Sequence, residues 1–174
     1  MTLMLFISVA SETTVLEAFA AGRNPAEGSG PWTTRFIRQA TKQFDERWSL
    51  VEITGAEARA IVVPPHSGEP CRGDRMELVP PGGLSVESTA RALEVCRDAY
   101  AAANRTCWSR IAQAIDDPAW SEIILTRAPL ALDDYATVTG GAGLYHLDGF
   151  HRLVGWTLAG RLMDEVRIRA FLAG

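Results

Sequence analysis

His146, Asp148, His151 and Arg152 lie within a run of seven residues near the C-terminus. A carboxylate, two imidazoles and a guanidinium so close together suit the binding of an anion with acid–base chemistry beside it. The residues between them show how they are presented. Leu144, His146 and Asp148 share one face of a short strand, because strand side chains alternate. Gly149 permits a sharp turn. His151 and Arg152 then fall in the first turn of a helix, where backbone N–H groups have no helical carbonyl to bond. Such a helix mouth next to a guanidinium is an anion site, suited above all to phosphate.

Each of these residues also has a purely structural reading. Asp148 can cap the helix that follows it, and Arg152 can pair with Asp148 or Glu165. His146 can be a partly buried histidine satisfied by its surroundings. His146, Asp148 and His151 together make a two-histidine, one-carboxylate metal set, which the turn between them opposes. Thr126 and Arg127, ending the apolar run from Ile123, are candidates to reach a ligand at the same end of the sheet. Gly140-Gly141-Ala142-Gly143 lacks the Lys-Ser/Thr of a phosphate loop and reads as a turn.

The elements that must hold this stretch follow from pattern. Strands are expected at 3–9, 48–54, 76–80, 123–126, 144–148 and 166–172, the first of them as a buried strand. Helices are expected after the cap Ser11 to about Ala21, from Arg35 to Glu46, over Glu57 to Val62, and from Val86 to about Ala103 after the cap Ser85. Two more are expected over Trp108 to Ile115 and from Phe150 to about Arg161. Breakers mark loops at 22–31, at 66–74 (which holds His66) and at 133–143.

Composition bounds the class. The chain has 174 residues, 47% of them apolar, and a formal net charge of -4. That length buries a core without metal or disulfide support. The acidic balance argues against nucleic acid as the partner. Cys71, Cys96 and Cys107 have no metal-ligand spacing and read as reduced thiols. The apolar N-terminus has no basic flank and is too short to span a bilayer, so no membrane is expected and a cytoplasmic location is.

The run His146-Leu147-Asp148-Gly149-Phe150-His151-Arg152-Leu153 resembles the hallmark of the ParB/sulfiredoxin-like superfamily, in which a strand ends in Asp-Gly and a helix opens on His-Arg. The order of elements from Leu78 onward resembles it too, over roughly residues 76–174. The whole chain is also similar to a small actinobacterial family of unassigned activity. The resemblance implies an α+β fold with a mixed sheet and packed helices. It divides the chain into an N-terminal αβ portion, 1–75, packed on a ParB/sulfiredoxin-like domain, 76–174, as one compact unit.

Members of that superfamily hold nucleotide phosphates against the His-Arg helix end. Sulfiredoxin has a cysteine where this chain has Phe150, which argues against sulfinic-acid repair. Partition proteins carry a helix-turn-helix domain after this one, with no equivalent here. The Asp-Gly-x-His-Arg form is nearest to the free-serine kinases, whose base is a glutamate early in the domain; Glu77 is offset from that place and Glu87 is a second candidate.

The resemblance therefore implies a phosphotransferase that uses ATP or ADP with Mg²⁺ and acts on a small hydroxylated metabolite. Gly149, His151, Arg152, Arg127 and Thr126 would bind the nucleotide. Asp148 would bind the metal or orient the hydroxyl, and Asp148, His146 and Glu77 would form the catalytic set. The alternatives are a non-kinase enzyme using His146, Asp148 and His151 in acid–base or metal-assisted chemistry, and a non-catalytic nucleotide-binding module. The sequence does not set the oligomeric state.

Overall fold

The computed structural model describes residues 4–21, 30–65, 76–139 and 143–174. The elements in chain order are β1 (Leu5–Ala10), α1 (Glu12–Ala21), α2 (Gly30–Gln43), β2 (Trp48–Thr54), α3 (Gly55–Ala60), β3 (Val62–Val63) and β4 (Leu84–Ser85). They continue with α4 (Val86–Ala103), α5 (Arg105–Asp116), β5 (Ile123–Thr126), a 3₁₀ turn (Asp133–Tyr135), β6 (Tyr145–Asp148), α6 (Phe150–Leu158) and β7 (Arg167–Ala173). The class is α+β: among the described residues six helices surround one seven-stranded mixed sheet in the order β1-β2-β7-β5-β6-β3-β4.

Alternation along the strands divides the apolar residues between two layers. Ile123, Leu125, Ile168, Ala170 and Leu172 pack with α3 to α6 on one face. Ile124, Tyr145, Leu147, Phe171 and Ala173 pack with α1 and α2 on the other. Tyr145 and Leu147 thus assign the residues between and after them, His146 and Asp148, to the face of α4 to α6. Strands from both parts of the chain share the sheet: β7 pairs with β2 along its whole length, and β3 pairs with β6.

Local rules account for the helix starts. The Ser11 hydroxyl accepts from the Thr14 N–H, and the Ser85 hydroxyl from the Ser88 N–H. Thr54 and Glu57 form a reciprocal capping box that starts α3 directly from the end of β2.

Four expectations are corrected. No strand forms over Met76–Pro80; Pro80 and Pro81 have no N–H to donate to a ladder, and β3 pairs with Leu84–Ser85 instead. The first strand is not buried but lies at the sheet edge with most of its side chains exposed. Val95, which the apolar pattern Ala90, Leu93, Val95, Cys96 and Tyr100 puts on the inner face of α4, is 90% exposed. Cys107 is disulfide-bonded, so the chain does not carry three reduced thiols, although Cys96 is free. His66, Cys71, the loops over 22–29 and 66–74, and Gly140 to Ala142 lie outside the described residues. No helix among the described residues is long and apolar enough to cross a membrane.

Candidate functional site

The site is the junction of β6 and α6. Gly149 makes it with φ of 105°, a left-handed conformation that side-chain-bearing residues resist. A Cβ there would sit 2.6 Å from Ile123 Cγ2. Both requirements select glycine, and both come from one demand: the chain must reverse directly against β5. No side chain caps α6 at this glycine. The Asp148 carboxylate, one residue earlier, is engaged by Arg152.

The Asp148 carboxylate accepts from Arg152 Nη2 at 2.7 Å. Arg152 Nη1 donates to Ser121 Oγ at 2.5 Å and to the Glu122 carbonyl at 2.8 Å. Three acceptors on two chain segments thus fix the guanidinium, and Glu165 is not among them. The pair stays within reach of solvent, with Arg152 28% and Asp148 18% exposed. Arginine carries five N–H donors, so the fixed head retains others for an incoming oxygen.

The histidines lie deeper. His146 is 8% exposed, and the Nε2 atoms of His146 and His151 are both shielded from solvent. Phe150, itself buried, meets both rings edge-on, its centroid 6.2 Å from that of His146 and 5.2 Å from that of His151. Phe150 therefore packs against both imidazoles. Among the described residues no group of three or more His, Cys, Asp or Glu side chains could hold a metal ion, so His146, Asp148 and His151 do not form the triad considered from sequence.

Thr126 and Arg127 do not join this cluster. β5 runs antiparallel to β6, which places Ile124 opposite Asp148 and Thr126 opposite Tyr145. Thr126 is thus about 10 Å from the Asp148 end of the ladder at the usual rise per residue. Its hydroxyl donates to the Ala128 carbonyl at 2.7 Å, and Arg127 Nε donates to the Gly174 carbonyl at 3.0 Å.

Glu77 is exposed on the segment before β4, which Asn104 holds at the α4–α5 junction by donating to the Met76 carbonyl. Glu87 belongs to another place. It accepts from Arg91 and lines a groove of about 300 Å³ with Arg59, Glu94, Thr157 and Gly160, at the C-terminal end of α6.

Sequence reasoning missed three supports of the site. Ser121 and the Glu122 carbonyl are one; only the antiparallel β5–β6 pairing brings them to Arg152. Tyr135 is another: its hydroxyl donates to the His146 carbonyl at 2.5 Å, tying the 3₁₀ turn to β6. Burial, with Asp134 adding to it, pushes that phenol well above its ordinary value. The third is Gly155, where α6 crosses α5 so closely that a Cβ would lie 2.7 Å from Ala114 Cβ.

No curated protein and no solved structure matches the chain. The sequence profile of a family of unknown function, DUF6309, matches residues 9–174, nearly the whole chain. The chain belongs to the DUF6309 family.

Proposed function

We propose that this chain is a nucleotide-dependent phosphotransferase of ParB/sulfiredoxin-like fold, acting on a small hydroxylated metabolite such as an amino acid. The observation that carries the reading is the β6–α6 junction. There the first turn of a helix begins at a left-handed glycine beside a guanidinium already fixed at three points. The first-turn amides and the remaining Arg152 donors would receive phosphate oxygens. Phosphoryl transfer asks a protein chiefly for positioning and charge neutralisation, and a pre-anchored arginine supplies both without reorganising.

Asp148, at the mouth and partly exposed, would orient the accepting hydroxyl or hold Mg²⁺, which commonly takes one or two carboxylates together with phosphate oxygens. Mg²⁺ there would neutralise charge on the phosphates. Glu77 is the candidate base, carried on the segment anchored by Asn104. His146 and His151 act in this reading by packing against Phe150 and shaping the floor of the site. Thr126 and Arg127 have no part in it.

Calorimetric titration with ATP, ADP and CTP, each with and without Mg²⁺, tests the reading. Binding of one nucleotide is expected, weakened at least tenfold in Arg152→Ala. Asp148→Asn is expected to abolish transfer to a panel of hydroxylated amino acids while leaving the fold intact. No binding by any of the three nucleotides overturns the proposal. Binding without transfer to any acceptor reduces it to a nucleotide-binding module.

A further inference from the structure

β1 is unlike the other strands of the sheet. Its inner side pairs with β2, from Leu5 opposite Glu52 to Ala10 opposite Trp48, and its outer side is the edge of the sheet. Leu5 is 48% exposed, Phe6 64%, Ile7 41% and Val9 80%. Neighbouring strand residues point to opposite faces, so Leu5 and Phe6 leave apolar surface open on both sides of the strand as well as along its main chain.

Edge strands in soluble proteins are usually guarded by charged side chains or proline. From Met4 to Ser11 this chain has neither, and its one interruption is the register shift at Ile7, between Phe6 and Ser8. The opposite edge needs no such guard, since β4 spans only Leu84–Ser85.

These features specify a partner. Its open main chain requires a strand, and the uncharged apolar surface on both faces requires a strand equally uncharged and apolar. Among the described residues the strand with that character and a free edge is β1 itself. A two-fold axis beside β1 sets it antiparallel to its copy, satisfies both free edges together and places apolar side chains against apolar ones.

The size suits a weak, concentration-dependent dimer. Phe6 carries roughly 150–250 Å² and the three aliphatic side chains about as much or less. Pairing covers the main-chain edge and the flanks of these side chains while both sheet faces stay open. Two copies therefore bury less than about 1,000 Å², the range of transient interfaces. We propose that the chain forms a homodimer through antiparallel β1–β1 pairing, which joins two seven-stranded sheets into one.

Sedimentation velocity on the full chain, from about 1 to about 100 µM, tests this. The wild-type chain is expected to sediment as a dimer in the upper part of that range. Phe6→Glu and Val9→Lys, each entering the interface twice, are expected to weaken the dimer at least 100-fold with an unchanged circular dichroism spectrum. Val95→Lys, an equally exposed apolar position on α4, is expected to leave it intact. Hydrogen exchange of the wild-type chain supplies a readout that needs no variant: protection of the β1 amides is expected to rise with protein concentration. A monomer throughout the range, a dimer insensitive to both β1 variants, or β1 exchange independent of concentration overturns the proposal.

Discussion

Asp148 and Arg152 face each other across the Gly149 turn, one helical turn apart, with Nη2 2.7 Å from Oδ2. The pair joins the last residue of β6 to the first turn of α6, and Ser121 and Glu122 extend the link to the approach of β5. Arg152→Ala removes one donor from each of three acceptors. At about 1 kcal/mol per bond, and with the ion pair discounted for its exposure, the loss should be about 2–3 kcal/mol. Thermal unfolding should show it as a fall of roughly 5–10 °C. Arg152→Lys should recover less than half, because an ammonium cannot reproduce the fork.

Gly149→Ala should cost about 3 kcal/mol. The positive φ contributes about 1–2 kcal/mol, and the 2.6 Å approach to Ile123 Cγ2 contributes a similar overlap. Ile123→Ala removes that methyl but not the backbone strain. A double-mutant cycle in denaturant should therefore show a favourable coupling of about 1 kcal/mol with much of the loss remaining. Simple additivity would mean that Ile123 does not constrain the turn.

Gly155→Ala sets two effects against each other. Alanine favours a helix over glycine by about 1 kcal/mol. Against this, its Cβ would stand 2.7 Å from Ala114 Cβ and 2.8 Å from the Ile111 carbonyl, and the carbonyl is backbone that cannot turn aside. Overlap of that kind costs about 1–3 kcal/mol, so a net loss is expected. Chemical denaturation would measure it; a gain would show that α5 and α6 separate readily.

Tyr135 gives a pH dependence of definite sign. Its folded-state pKa is raised above the ordinary 10.0 by burial first and by Asp134 second. Above pH 10 the unfolded chain releases the phenolic proton while the folded chain keeps it, so the unfolded state binds fewer protons. The contribution is complete below pH 10 and is lost as pH rises from there towards the folded value. Stability measured from pH 9 to pH 11 should fall less steeply in Tyr135→Phe. At neutral pH that variant should lose about 1 kcal/mol with the bond to the His146 carbonyl.

The local parts of the site were legible in the sequence. Period-two alternation from Leu144 to Asp148, a glycine and an apolar helix define the β6–α6 junction without further information. Its partners were not, because they depend on which strands are neighbours. Arg152 meets Ser121 and Glu122, and Thr126 moves away from Asp148, for one reason: β5 is antiparallel to β6. β1 was misjudged on the same ground. Leu5-Phe6-Ile7 has the composition of a central strand, and composition does not tell a central position from an edge. The capped starts of α1 and α4 needed only nearby hydroxyls, and they lie where Ser11 and Ser85 indicate.

β7 follows every other described strand, yet it stands inside the sheet, between β2 and β5. The antiparallel β1–β2 and β5–β6 pairs are connected within the sheet only through Arg167–Ala173. Completing the sheet therefore depends on pairing strands far apart in sequence, a topology that slows folding and keeps strand edges open in the meantime.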